Sequence, residues 1–215
     1  AASSPQRRRQ ALGSPDPERL LRRYRKAVVA EMEAALAGRS LALYDMMRYH
    51  LGLVGTGEGR APQAGKMVRP TFCLLSCEAV GGDRQQALPA AAAIELLHNF
   101  TLIHDDIEDG SHVRHGRDTV WRVWGEPQAI NAGDGMFVLA HLAVYRLIDV
   151  GVPATLALEA ARLLDEACLA LCEGQHQDLE YETRLDVGVE EYLTMISGQT
   201  AAQMSAATPA GALLG

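Results

Sequence analysis

The chain has 215 residues, 48% of them hydrophobic and only 5% aromatic, with 27 acidic against 20 basic side chains and a formal charge of -7. That is enough apolar material for one sizeable core, and too acidic a balance for a nucleic-acid binder, whose affinity rests on clustered Lys and Arg. No apolar run reaches the roughly 18 to 20 residues needed to span a bilayer, since even Ala90 to Ile103 is broken by Glu95, His98 and Asn99.

Residues 1–15 are polar, basic and Pro/Ser-containing, and are expected to be a disordered arm. Arg7, Arg8 and Arg9 are followed by no apolar stretch that would make a signal peptide, so a cytoplasmic address is the expectation. Residues 16–215 read as one helical domain. Asp16 and Pro17 match an N-cap with proline at the first helical position, opening a helix to about Ala37 that Gly38 stops. A second helix is expected over Ser40 to Leu53, then a loop holding Gly55, Gly57, Gly59, Pro62 and Gly65. Pro70 opens a third helix, which carries Cys73 and Cys77 and ends at Gly81 and Gly82. A long helix follows from Arg84 to Asp109, with Pro89 near its start, where proline is tolerated or makes a kink. After a loop over Gly110 to Arg117, helices are expected over Thr119 to Trp124, Glu126 to Val150, Pro153 to Glu182 and Val189 to Ala207. The Ala- and Leu-rich stretches lack β-branched runs and no segment is persistently β-patterned, so the fold class is all-α.

Cys73 with Cys77 and Cys168 with Cys172 lie four apart in apolar helical patterns. Without further ligands nearby they read as core thiols rather than zinc ligands. Trp121 and Trp124, three apart, read as packing one helix face.

The chemistry concentrates in Ile94 to Asp109, an apolar helix that ends in Asp105, Asp106, Glu108 and Asp109. Residues four apart stack on one helix face, so Asp105 and Asp109 aim at one point and Asp106 lies about 100° round from Asp105. The C-terminal end of a helix is already negative, so this cluster calls for a compensating cation. Magnesium takes hard oxygen ligands and is usually shared between a few carboxylates and substrate phosphates, which makes Mg2+ the expected metal, on Asp105 and Asp109. Lys66 and Arg69 stand one turn apart at a helix start, a favourable place for an anion. Arg114, His115 and Arg117 follow the acids in a glycine-flanked loop. One acidic and two basic clusters suggest one diphosphate bridged by metal and another bound directly.

The segments GKMVRP, LIHDDIEDGSHVRHGRDTVW, NAGDGMFVLA and EGQHQDLEYE, in that order, resemble consecutive motifs of the trans-isoprenyl diphosphate synthases, the geranylgeranyl and polyprenyl diphosphate synthase family, over residues 16–215. The resemblance implies an all-α bundle around a central cavity, a homodimer, and the magnesium-dependent head-to-tail condensation of isopentenyl diphosphate with an allylic diphosphate. It implies that Asp105 and Asp109 ligate magnesium with Asp106 in support, and that Arg114 holds the allylic diphosphate. It places Lys66, Arg69 and His98 on isopentenyl diphosphate, Gln175 and Asp178 on the cavity wall, and Thr200 in a substrate-binding Lys-Thr pair. Bulky residues four or five positions before the first aspartate floor the family's elongation cavity; here they are Thr101 and Phe100, a pattern similar to synthases that stop at about C20. Core packing accounts for Phe100 equally well.

Three departures matter. His115 stands where the family has a second arginine, Gln199 stands where it has a lysine, and the chain ends at Gly215 before the family's second aspartate-rich motif. It is therefore expected to be part of a longer protein, and turnover is conditional on that second motif. Competing readings are a non-catalytic subunit of a heteromeric synthase, and a terpene cyclase, which would have no use for Lys66, Arg69 and His98. A di-iron bundle is a remote third, from the Glu-x-x-His spacing of Glu95 with His98 and Glu173 with His176. The apolar stripe from Ala129 to Val144 suits either a dimer face or the core.

Overall fold

The computed structural model describes residues 16–54 and 65–215. The basic arm expected over 1–15, and the loop positions Gly55, Gly57, Gly59 and Pro62, lie outside the described residues. What is described is helical apart from one two-residue ladder.

Helix α1 spans Pro17–Ala35, with the Asp16 carboxylate accepting the Glu18 amide as the expected N-cap. Helix α2, Ala42–His50, is shorter than its apolar pattern suggests. Helix α3 is Val68–Ala79, entered through Met67 at φ 56°, with Pro70 in its first turn, where no intrahelical donor is lost. Helix α4, Arg84–Glu108, is capped by Asp83 and carries Pro89 inside.

Ala87, Ala90, Ala91, Ala92 and Ala93 of α4 are all fully buried. An element enclosed on every side is a core axis, and small side chains let its neighbours come close. Helix α6, Glu126–Asp149, packs most extensively on it, with α3 next. The stripe from Ala129 to Val144 divides. Ala129, Ala132, Met136, Leu139, Ala140 and Ala143 are core, while Ile130, Val138 and Leu142 on the other face are exposed.

Between α4 and α6 the expected loop contains a hairpin, β1 (Val113–Arg114) with β2 (Arg117–Asp118). Its two-residue turn has His115 at φ 51° and Gly116 at φ 74°, the doubly left-handed backbone that a right-twisted ribbon favours. His115 in place of the usual Asn hid that turn from the sequence pattern. The short helix α5, Val120–Trp124, is held by its aromatic rings. Trp121 donates to the Ser111 carbonyl and Trp124 packs edge-on against Tyr49.

Helix α7 spans Ala154–Tyr181. The single helix expected over Val189 to Ala207 is instead α8 (Val189–Ile196), a π-helical turn (Ser197–Ala201) and α9 (Ala202–Leu213). The turn sits where α7 comes closest: a Cβ on Gly174 would stand 2.4 Å from the Gln199 nitrogen, and one on Gly198 2.8 Å from the Ala170 carbonyl oxygen. Two glycines thus let the backbones touch, and the widened turn re-aims the residues after them. The cysteine expectation also needs correction: Cys73, Cys77 and Cys168 are core thiols, but Cys172 is exposed.

Gly211 of α9 lies against α3 so tightly that a Cβ there would be 1.9 Å from the Cys73 carbonyl oxygen. Gly211→Ala is expected to lower unfolding free energy by about 1 to 3 kcal/mol. A urea midpoint equal to wild type would contradict this packing.

Candidate functional site

The acidic end of α4 is organised by one arginine. The hairpin folds Arg114 back so that its Nη2 donates to Asp105 Oδ2 and its Nε to Asp106 Oδ1, each at 2.7 Å. Asp106 is 1% exposed, and its other oxygen has no hydrogen-bond partner among the described residues. Burial raises its pKa, against the pull of the Arg114 guanidinium. Asp106 thus anchors Arg114 from below, while Asp105 and the exposed Asp109 remain at the rim.

Asp109 is raised as well, first by desolvation and then by Asp105, Glu182, Asp178 and Glu108. A carboxylate facing that much like charge is one that a divalent cation stabilises. Among the described residues no set of three or more acidic, His or Cys groups forms a ready-made metal cage. The donors fit magnesium, which needs few protein carboxylates and takes its remaining ligands from water and phosphate oxygens.

The acidic rim continues onto α7. Gln175 donates to Glu108 Oε2 at 2.9 Å, and Gln199, presented by the π-helical turn, donates to Gln175 Oε1 at 2.7 Å and to Asp178 Oδ2 at 2.8 Å. The neutral amide at 199 therefore ties the two α7 residues together and leaves the charge of Asp178 uncancelled. The side chain of Thr200 is outside the described residues.

Two cavities open beside this rim. One, of about 420 Å³, is lined by Phe100, Thr101, Leu171, Cys172, Gln175 and Leu179 among others. Phe100 is both core and wall, as its two readings allowed: it is 9% exposed, stacks edge-on to Phe137 at 5.1 Å, and still borders the cavity. His104 sits one turn further on, where the absent Cβ of Gly133 leaves room for its ring.

The other cavity, of about 520 Å³, is lined by His50, Lys66, Arg69, Glu95, His98 and His115 among others. It gathers Lys66, Arg69, His98 and His115, four of the basic residues singled out in sequence, while Arg114 and Arg117 line a smaller hollow that His115 also borders, and it adds two residues that motif reasoning missed. His50 closes α2 outside every motif, and Glu95 was weighed only as an iron ligand. Desolvation, with Arg69 opposing, pushes the buried Glu95 up to about 6. Burial and nearby Arg114 and Arg117 push His50 down to about 3; burial, Arg69 and Arg114 do the same to His98. Arg69 is lowered by desolvation, and its Nε has no hydrogen-bond partner among the described residues. The two Glu-x-x-His pairs do not meet: Glu95 faces this basic cavity, whereas Glu173 is exposed and His176 borders the other.

Arg69 and His98 line both cavities. The arrangement can hold an anion in one hollow and an apolar chain in the next, with cationic and acidic groups where the two meet.

Comparison with known proteins gives this geometry a context. A family model described as polyprenyl synthetase matches residues 59–215. A short chain isoprenyl diphosphate synthase from Methanothermobacter thermautotrophicus is 47% identical over 163 residues, covering 76% of this chain and 49% of that protein. A geranylgeranyl diphosphate synthase from Mycobacterium tuberculosis is 38% identical over 196 residues, covering 91% of this chain and 55% of that protein. The crystal structure of a polyprenyl synthetase from Streptomyces coelicolor superposes with a TM-score of 0.83 at 37% identity, over 93% of this chain and 58% of that one. The chain spans about half the length of the curated relatives it matches.

Two outcomes follow from the site. His50 and His98 are held neutral when folded, so between about pH 6.5 and 3 the unfolded chain binds more protons and stability falls with pH. Glu95, raised to about 6, works the other way between about 4.5 and 6. The net slope there is about 1.4 kcal/mol per pH unit, and His98→Asn is expected to flatten the urea midpoint measured from pH 7 to 5. His115→Asn, which relieves a left-handed backbone, is expected to raise unfolding free energy by a few tenths to about 1 kcal/mol; a lowered midpoint would count against the turn.

Proposed function

The chain belongs to the polyprenyl synthetase family, and from that premise we propose that it is the N-terminal and central part of a trans-prenyltransferase. The reaction joins isopentenyl diphosphate to an allylic diphosphate head to tail: the allylic carbon–oxygen bond breaks, a carbon–carbon bond forms, and a proton is lost. The observation that carries this reading is the wall that Arg69 and His98 share between a basic cavity and a largely apolar one. A reaction between two diphosphates, one with a growing hydrocarbon tail, needs both hollows to meet at the reacting carbons.

Asp105 and Asp109 would hold magnesium, which when bound neutralises the charge gathering on the departing diphosphate. Arg114, steered by Asp106, stands beside that position and adds a fixed guanidinium. Lys66, Arg69, His98 and His115 would seat isopentenyl diphosphate, with His98 neutral and so able to accept or donate a hydrogen bond without adding charge. Phe100, Leu171 and Leu179 keep water from a carbocation. Gln175 and Asp178 would complete the rim of the allylic side, and Thr200 would bind substrate as the resemblance implies. Phe100, with Thr101 beside it, would limit the product to about C20. The basic cavity favours this reading over a cyclase, which needs only one diphosphate.

Homodimerisation is part of the proposal. Ile130, Val138, Leu142 and Tyr145 on α6, with Leu158 and Leu169 on α7, are exposed apolar side chains that a second copy would cover. Among the described residues no helix is long and apolar enough to cross a membrane.

The test is full-length protein with isopentenyl diphosphate, an allylic diphosphate and magnesium, with products separated by chain length. Asp105→Ala and Asp109→Ala are each expected to lower turnover by about a hundredfold or more, and chelation by EDTA to abolish it. Absence of any product from the full-length protein would refute the reading. Phe100→Ala is expected to lengthen the products; an unchanged distribution would remove Phe100 as the floor.

A further inference from the structure

His50 is the last residue of α2, outside the motifs that carry the family resemblance, and it borders both the basic cavity and the smaller hollow beneath Arg114. Positive and titratable groups face it from several elements. Lys66 and Arg69 come from the start of α3, His98 from α4, and Arg114, His115 and Arg117 from the hairpin; Arg25 of α1 lines the same cavity. Three carboxylates stand nearby, Glu95, Asp106 and Asp118. Asp106 is taken by Arg114, and Asp118 lies 3.6 Å from Arg122. Glu95 is buried and shifted toward its neutral form. The hollow is therefore strongly positive, and that charge adds to burial, the larger cause, in keeping the imidazole at 50 uncharged.

Resting on the reading of this cavity as a diphosphate site, we propose that His50 is a further anion-binding residue, which takes a proton from solvent when the anion enters and returns it when the anion leaves. A doubly or triply charged anion reverses the local potential, and its charge at close range offsets the burial that now disfavours the proton. Proton uptake and anion affinity are then linked, so affinity falls as pH rises. An imidazole supplies charge only while the ligand is present, and does not add to the repulsion among arginines when the cavity is empty. That distinguishes it from another fixed guanidinium.

The experiment follows histidine side-chain resonances of the full-length protein by NMR across pH, in sodium sulfate and in sodium chloride at matched ionic strength. Sulfate remains a dianion except at the acid end of the range, so a change in protonation above it belongs to the protein. His50→Gln identifies the resonance; should that variant not fold, contacts of the ring to Leu102, which borders the same hollows, identify it in the wild type. The His50 midpoint is expected to rise by several pH units in sulfate, toward neutrality; a midpoint that is unchanged, or that stays well below neutrality in sulfate, would overturn the proposal. In turnover assays, His50→Gln is expected to raise KM for isopentenyl diphosphate several-fold, to leave kcat within about twofold and to flatten the pH dependence of KM. A KM that keeps its wild-type value and pH dependence would also overturn it. If product forms normally while the midpoint does not move, the role of His50 falls and the prenyltransferase reading stands. If no product forms in any condition, both fall.

Discussion

The pairing of Arg114 with Asp105 and Asp106 is the interaction on which the site depends. A buried helix that ends in four carboxylates places like charges together at the negative end of its own dipole. Left alone, that end would favour protonation or fraying. The hairpin brings one guanidinium onto two of the acids, and the inner one, Asp106, is deep enough that the contact is shielded from solvent. A buried pair of this kind positions more than it stabilises, because desolvation offsets much of its attraction. Its consequence here is geometric: Asp105 and Asp109 stay at the rim, and Glu182, Asp178 and Glu108 add like charge around Asp109.

Everything else divides around that rim by polarity. Glycines decide how closely the dividing elements approach. Gly133 admits the His104 ring against α6, and Gly174 with Gly198 brings the π-helical turn onto α7, which is how Gln199 reaches both Gln175 and Asp178. Alanines on α4 do the same for the core, and free its polar residues to face the cavities.

The helices were largely legible in sequence, because Asp16 and Pro17 mark the first start by local chemistry and the long apolar runs have a clear helical period. The acids and most of the basic cluster were legible too, since charge at fixed spacing survives without knowledge of the fold. What escaped was set by tertiary contact. His50 has no neighbour in sequence that hints at Arg114. The His115-Gly116 turn lacks the usual Asn. The π-helical turn depends on a glycine 24 positions earlier, at 174, to fit against Gly198. Cys172 shares its spacing with three buried thiols, and only the placement of α7 at the cavity edge exposes it. Glu95 read as a potential metal ligand until the surrounding cations gave it another setting.

The wall formed by Arg69 and His98 has a thermodynamic consequence. Two side chains that face both hollows cannot rearrange for an occupant of one without changing the surroundings of the other. With the two hollows occupied as proposed, the two binding equilibria would be coupled, and reciprocally: the factor by which an anion altered affinity for a hydrocarbon tail would be the factor by which that tail altered affinity for the anion. That factor, in such a site, would belong to the shared wall and not to either cavity alone.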